Sequence, residues 1–429
     1  MRILVLGSGG REHAIVHSLA ASPMVDAIFA APGNGGTARE RVTVNVALNP
    51  DDTSAVVAFA LDKDIDLAVV GPEGPLCAGL ADALRAAHVP TVGPGKDGAE
   101  LEGSKSFAKE LMRNAHIPTA ESETFADRES ALAHLKTRTA PIVVKADGLA
   151  AGKGVTVATE MAEAVEAVEA CFSGRFGSAG SKVVIEEYLT GPEVSLLAFV
   201  DGTTVMPMAP AQDHKRVGDG DTGPNTGGMG VYSPVPGVDA RDYSRMLEIL
   251  EMTARALHDD GIGFRGILYG GFILTPEGPK VLEFNTRFGD PETQVLLPRL
   301  SSDLAQVLLA LAQGRLDGLG LLSWTQHVAV SVVIASGGYP GEYAVGKPIS
   351  GIAQAEQVPG VTVYHAGTKL ADDGTLVTAG GRVLNVTAVA SDFAVARENA
   401  YAAVALIGFD GAFHRHDIAH RALTGRLGS

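Results

Sequence analysis

Residues 283–294 read Glu-Phe-Asn-Thr-Arg-Phe-Gly-Asp-Pro-Glu-Thr-Gln and follow an apolar, β-rich lead-in, Lys280-Val281-Leu282. A strand ending at Asn285 puts Glu283 and Asn285 on one face, because side chains two apart on a strand point the same way. A carboxylate and an amide oxygen converging on one point are hard oxygen ligands that suit Mg²⁺. Arg287, two residues further, brings a cation within reach of any anion such a metal holds. Taken alone, the stretch also describes an edge strand running into a polar turn. The rest of the chain decides between the two.

The chain has 429 residues, enough for about three domains of ordinary size. With 46% hydrophobic and 20% charged residues it has material for buried cores. Lys+Arg 34 against Asp+Glu 50 gives a net charge of −16, which argues against nucleic acid or an anionic membrane as the main partner. An anionic small substrate therefore needs a local cationic pocket. The two cysteines, Cys77 and Cys171, have no metal-ligand spacing and are too few for a disulfide framework. They read as buried thiols in a reducing cytoplasm. Met1–Leu6 runs directly into Gly-Ser-Gly-Gly, which is not the apolar core of a signal peptide. The uncharged run 318–341 is broken by Ser, Thr, Gln, His and Gly and does not read as a membrane span.

Residues 1–103 alternate short apolar strands (Arg2–Leu6, Ala27–Ala31, Asp66–Val70) with helical patterns over 11–21, 53–62 and 76–87. This predicts a doubly wound parallel sheet with ligands at the carboxyl ends of its strands, at Gly7–Gly10, Pro32-Gly33-Asn34 and Gly71-Pro72-Glu73. The first loop is not a dinucleotide fingerprint. Glu12 stands where a third small residue is needed, and no acidic residue closes the second strand. Its glycines still offer backbone N–H groups at a helix start, which suits the phosphate of a phosphorylated sugar.

Gly103-Ser104-Lys105 opens a second unit with a helix over Ser106–Asn114. The strand Pro141–Lys145 carries a lysine at its tip. A loop with three glycines and a lysine, 146–154, joins it to Val155–Ala158 and predicts a flap able to lie over a polyphosphate. It is not a P-loop. After a helix near 160–172, the strand Lys182–Tyr188 ends in paired glutamates, which suits an adenine edge, with Glu193 placed for ribose hydroxyls. The segment Gln212–Gly230 has no apolar period, and Asp213, His214, Lys215 and Arg216 at its start suggest a binding loop for a small zwitterion or phosphate. A long amphipathic helix (Asp242–Asp260) and a strand (Arg265–Leu274) lead back to the opening stretch. Beyond 327, strands at His327–Ala335, Val361–His365 and Arg382–Ala390 and a helix near 392–407 predict a small α+β module without a catalytic set. His414, His416 and His420 read as a polar tail rather than a metal site.

In that order, Lys105, Lys145, the glycine flap, the Glu186-Glu187-Tyr188-Leu189 hinge, Glu283, Asn285 and Arg287 resemble the ATP-grasp superfamily. Within it, the motifs at 7–14, 31–34, 70–73, 101–105, 145–155, 212–216, 221–230, 283–294, 337–341 and 365–369 are similar to those of the phosphoribosylamine–glycine ligase family, over essentially the whole chain. Two departures are visible. Thr286 stands where a small or thiol residue is usual, and the tail 414–422 varies a family pattern.

The resemblance implies an α/β and α+β architecture. It comprises an N-terminal parallel-sheet domain (1–103), a central ATP-grasp domain (104–326, flap about 146–154) and a C-terminal α+β domain (327–429). It implies that ATP and Mg²⁺ or Mn²⁺ are used to join glycine to 5-phosphoribosylamine through a glycyl phosphate, the second step of purine synthesis. It implies catalytic roles for Arg287, Lys145 and Asp213, and metal ligation by Glu283 and Asn285. ATP would be held by Lys105, Lys145, Gly152, Lys153, Gly154, Glu186, Glu187, Leu189 and Glu193. The other substrates would be held by Gly9, Gly10, Glu12, Asn34, Glu73, Asp213, Lys215, Asn225, Arg287, Gly289 and Asp290. The implied enzyme is a cytoplasmic monomer or weak homodimer with no nucleic-acid or membrane partner. Three alternatives stand beside it: another carboxylate–amine ligase or carboxylase-type enzyme of the same superfamily, a Rossmann-type oxidoreductase, and a non-catalytic nucleotide sensor.

Overall fold

The computed structural model describes residues 1–150 and 154–425. Its first sheet has five parallel strands, ordered Thr43–Asn45, Ala27–Pro32, Arg2–Gly7, Leu67–Val70, Thr91–Val92. Alternation along Arg2–Gly7 explains how it is sandwiched. Leu4 and Leu6 face a core with Val56, Leu76, Leu80 and Leu84. Ile3 and Val5 face Ile15, Leu19 and, from the central unit, Leu197, Phe199 and Leu308. The first domain is thus fused to the next through an apolar face. The single helix expected over 76–87 is two, Glu73–Cys77 and Leu80–Ala86. Gly79 between them has φ +92°, a left-handed turn that breaks the helical path.

The central unit contains two four-stranded sheets. One is antiparallel, ordered Ser122–Phe125, Val183–Glu187, Ile142–Ala146, Val155–Ala158. The other is ordered Thr204–Pro207, Glu193–Asp201, Arg265–Thr275, Gly278–Asn285. The helix Ala240–Asp259 buries Met246, Ile249, Leu250, Thr253, Ala254 and Leu257, one stripe at helical spacing, in the core behind this second sheet. Register slips between Gly271 and Phe272, which pair with Glu283 and Val281, so Leu282 is an extra residue three positions before the strand ends at Asn285. Such a bulge frees a carbonyl from the ladder and re-aims the side chains beyond it.

The segment 212–230 is more ordered than its sequence suggests. Gln212–Asp213 and Gly230–Ser233 pair with each other, and between them Arg216–Gly218 and Thr222–Asn225 form a hairpin. Gly230–Ser233 also pairs with Val328–Ser336, the first strand of the C-terminal module, so one sheet crosses the expected division at 326–327. The sequence tail expected to be merely polar clamps the hairpin. Arg415, 1% exposed, donates to Asp221 and to the Arg216 carbonyl, each at 3.0 Å. His416 N–H donates to Asp219 at 2.7 Å, and Gly220 N–H donates to Asp417 at 2.9 Å. Cys171 is buried and Cys77 half-buried; both are free thiols. No helix among the described residues is long and apolar enough to cross a membrane.

Candidate active site

The two central sheets face each other across a cleft of about 650 Å³. Lys105, Lys145 and Glu186 stand on one wall, and Glu283, Asn285 and Arg287 on the other. Glu187, Leu189 and Glu193 lie along the hinge, Asp213, Lys215 and Asn225 along the hairpin side, and Glu73 and Asp290 at the end nearest the first domain. Gly154 lines the cleft as well. Gly152 and Lys153 fall outside the described residues. A second cavity of about 740 Å³ lies behind the hinge and shares Glu186 and Glu187 with the cleft, but Lys145, Glu283 and Arg287 do not line it. The chemistry belongs to the cleft.

Lys145, next to last in its strand, has its ammonium 2.9 Å from Glu186 and donates to the Leu282 carbonyl across the cleft at 3.1 Å. That carbonyl belongs to the bulge residue. Lys105 donates to the Gly148 carbonyl at 3.0 Å. The flap's base is fastened by Asp147, whose carboxylate accepts from Ser106 N–H at 2.6 Å at the start of the helix Lys105–Asn114. Burial by itself would raise the pKa of Glu283, but the field of Lys215, Lys145, Lys105 and Arg287 outweighs it and lowers it. Glu283 is therefore ionised and open to the cleft. Among the described residues no cluster of three or more His, Cys, Asp or Glu side chains is positioned for a metal. The ionised Glu283 carboxylate and the Asn285 amide oxygen are the residues that would hold a hard divalent cation, which would supply positive charge to phosphate oxygens.

Arg287 does more than face an anion. Its guanidinium lies 3.2 Å from Glu73 of the first domain and 2.9 Å from Glu102, and it donates to Asn285 Oδ1 at 3.5 Å. Burial opposes its charge, yet Glu102 and Glu73 more than compensate and raise its pKa. Thr286 is absorbed locally: its N–H donates to Glu102 at 2.7 Å and its hydroxyl at 3.3 Å. Asp213 sits among carboxylates. Burial pushes it up, Lys215 pulls it back, and Glu292, Glu193 and Glu283 push it further, to about 7. Lys215 pairs with Glu193 at 3.0 Å, so Glu193 here serves a lysine.

Several first-domain residues occupy other places than the sequence suggests. Glu12, 2% exposed, caps its own helix: its carboxylate accepts from Gly9 N–H at 2.6 Å and Arg11 Nε at 2.5 Å. Asp290 accepts from Arg11 N–H at 3.3 Å. Two donors at this helix start, Gly9 N–H and Arg11 N–H, thus already serve protein carboxylates. The glycines make room for Glu12; a Cβ on Gly71 would lie 2.0 Å from its Oε1 and one on Gly9 2.7 Å from its Oε2. Gly10 is buried against Asn385 and Gln294. Asn34 is buried and stitches loops together, donating to the Ser8 carbonyl at 2.9 Å and the His365 carbonyl at 2.8 Å. Gly289 gives space to Glu292, whose Oε2 would be 2.4 Å from an added Cβ. Gly9, Gly10, Glu12, Asn34 and Gly289 do not line the cleft, whereas Arg11 and Asp290 do.

Sequence reasoning missed several residues that do. Lys109 and Glu102 come from helix positions that look like ordinary surface charges. Tyr269 and Glu292 form a buried pair at 2.8 Å with Ser195 beside them. Tyr339 and Arg382 come from the C-terminal module, which therefore contributes to the site. Arg382 lies 3.3 Å from Asp290 and donates to the Gly227 carbonyl at 2.5 Å, and Tyr339 accepts from Gly227 N–H at 3.0 Å. The Gly-Gly-Tyr-Pro-Gly motif was the one available signal for Tyr339.

Comparison with known proteins covers nearly the whole chain. Models of the phosphoribosylglycinamide synthetase N domain, ATP-grasp (A) domain and C domain match residues 1–102, 103–293 and 329–421. A phosphoribosylamine–glycine ligase from a Nostoc species is 50% identical over 424 residues, covering 98% of this chain and 99% of that one. The Salmonella typhi ligase of the same name is 50% identical over 426 residues, 99% of each. A solved phosphoribosylamine–glycine ligase structure from Thermotoga maritima superposes with TM-score 0.84 at 32% identity, over 97% of this chain and 100% of that one. The biotin carboxylase domain of a Hydrogenobacter thermophilus 2-oxoglutarate carboxylase reaches TM-score 0.72 at 18% identity, over 96% and 91%, a likeness of fold alone.

Two outcomes test this geometry. Glu283→Gln keeps the shape but removes the ligand charge, and should lower metal-dependent turnover about a hundredfold or more while circular dichroism stays that of the parent. Near-parental turnover at ordinary Mg²⁺ removes Glu283 from the metal site. Asp213, with its pKa raised to about 7, is anionic above that pH and neutral below it. The KM for a substrate whose ammonium it holds should therefore climb as pH falls from 8 to 6, and Asp213→Asn should flatten that slope. An equally steep slope in the variant refutes the role.

Proposed function

The chain belongs to the phosphoribosylamine–glycine ligase family of ATP-grasp enzymes, and from that premise we propose that it joins glycine to 5-phosphoribosylamine, yielding glycinamide ribonucleotide, ADP and phosphate. Membership makes it an ATP-dependent ligase. The observation that carries the finer reading is the meeting, in one cleft, of Lys145, ionised Glu283 with Asn285, and Arg287 tied to the first domain's Glu73. ATP and the domain that would hold the sugar phosphate thereby share a single reaction space. We place the enzyme in the cytoplasm, as a monomer or weak homodimer.

A carboxylate resists an amine because oxide is a poor leaving group. Attack by a glycine carboxylate oxygen on the γ-phosphorus breaks the bond to ADP and gives glycyl phosphate. Attack by the amine nitrogen on its carbonyl carbon then breaks the C–O bond, releasing phosphate and a proton. Such transfers depend on positioning and charge neutralisation. Mg²⁺ or Mn²⁺ held by Glu283 and Asn285 would neutralise the phosphate oxygens. Lys145 and Lys105 supply cations to the polyphosphate, and Arg287 faces the carboxylate undergoing phosphorylation. Asp213 and Lys215 form a zwitterionic patch suited to an amino acid or an amine. The flap anchored by Asp147 would exclude water, which otherwise hydrolyses the acyl phosphate.

Phosphate release from ATP and Mg²⁺ should be slow with glycine or phosphoribosylamine alone and fast with both. Release that ignores glycine would point to a carboxylase-type reaction. ATP binding without release would leave a nucleotide sensor.

A further inference from the structure

Lys109 is 3% exposed and belongs to the helix Lys105–Asn114, one turn beyond Lys105. Its ammonium donates to Thr119 Oγ1 at 2.8 Å and the Ala120 carbonyl at 3.2 Å, and lies 3.3 Å from Glu186 Oε1. The other oxygen of Glu186 holds Lys145 at 2.9 Å. Lys145 reaches over to the Leu282 carbonyl at 3.1 Å, and the Thr119 hydroxyl donates to the neighbouring Val281 carbonyl at 2.7 Å. The contacts close into a loop: Lys109, Glu186, Lys145, Leu282, Val281, Thr119 and back to Lys109. That loop joins the two sheets at the root of the cleft. The bulge at Leu282 is what turns a carbonyl toward Lys145.

We propose that Lys109 is a positioning residue for ATP binding: it balances Glu186 so that Lys145 keeps both its place and an uncompensated positive charge toward the nucleotide phosphates. This rests on the assignment of Lys145 to those phosphates. Glu186 with Lys145 alone is a neutral pair, whereas the trio carries one net positive charge. Glu186 is 3% exposed, and a buried carboxylate shared by two ammonium groups costs less than one left with a single partner. Burial also pulls Lys109 down to about 8, against the opposing pull of Glu186. Its charge is therefore retained mainly through that carboxylate. A lysine serving only as a helix tether would need no carboxylate.

The test uses the full-length enzyme carrying Lys109→Met, Lys109→Gln or Lys109→Arg. ATP and ADP binding is read by calorimetry without glycine or amine, and KM values for all three substrates are then measured. Methionine and glutamine should weaken nucleotide binding about tenfold, raise KM for ATP to match, and leave KM for glycine within about twofold. Arginine, which keeps the charge, should recover most of the loss. If the methionine variant does not fold, glutamine, which keeps an N–H for Thr119, carries the same reading. Parental nucleotide affinity in a folded uncharged variant overturns the proposal, as does a parallel rise of all three KM values. Because the calorimetry needs neither glycine nor amine, an error in the substrate assignment leaves its outcome intact.

Discussion

Arg287 is the point through which the reaction space is held together. One guanidinium touches Glu73 from the first domain, Glu102 from the helix that leaves it, and Asn285 beside Glu283. Burying such a charge is costly, and only a full set of partners compensates for it. The planar fork of arginine holds its donors in fixed directions, where a lysine ammonium would rotate freely. Any shift of the Gly71–Glu73 loop is therefore felt at Asn285, beside Glu283. The apolar face shared by Ile3, Val5, Leu197 and Phe199 makes that shift difficult, so packing and electrostatics fix the same geometry.

Charge is distributed with the same economy. The chain carries −16 overall, yet Lys105, Lys145, Lys215, Arg287 and Arg382 all line one cleft. These cations stand among carboxylates, including Glu73, Glu102, Glu186, Glu193, Asp213, Glu283, Asp290 and Glu292, so positive charge is offered locally by single side chains rather than by the cleft as a whole. The carboxylates among these cations give them direction: Glu186 aims Lys145, Glu193 aims Lys215, and Asp290 aims Arg382. The C-terminal tail acts at one remove. Arg415 holds the hairpin whose end supplies Asn225 to the cleft.

Much of this was legible because it is local. Glu283 and Asn285 follow from strand periodicity, and the parallel sheet follows from short apolar runs ending in glycine. The amphipathic stripe of the helix Ala240–Asp259 announces its buried face. What escaped reading depends on partners far away in the chain. Lys109 looks like a surface lysine until Glu186, 77 positions later by its number, closes over it. Arg382 and Tyr339 sit in a module whose sequence shows no catalytic set, yet both reach the cleft. The glycine loop shows a different limit: its N–H groups are real donors, but protein carboxylates already accept from two donors at that helix start, Glu12 from Gly9 and Asp290 from Arg11. A helix start advertises an anion site without saying whose anion fills it. Likewise Asn34, a plausible ligand by residue type, is consumed by backbone carbonyls of two domains.

On the proposed reaction, the cleft joins the glycine carboxylate to the γ-phosphoryl group of ATP. Turnover of glycine labelled with ¹⁸O in its carboxylate, with mass analysis of the phosphate released, tests it directly. A glycyl phosphate route transfers one labelled oxygen from each glycine consumed to each phosphate formed. Phosphate that carries no label, with the amide formed at the normal rate, would rule out a glycyl phosphate.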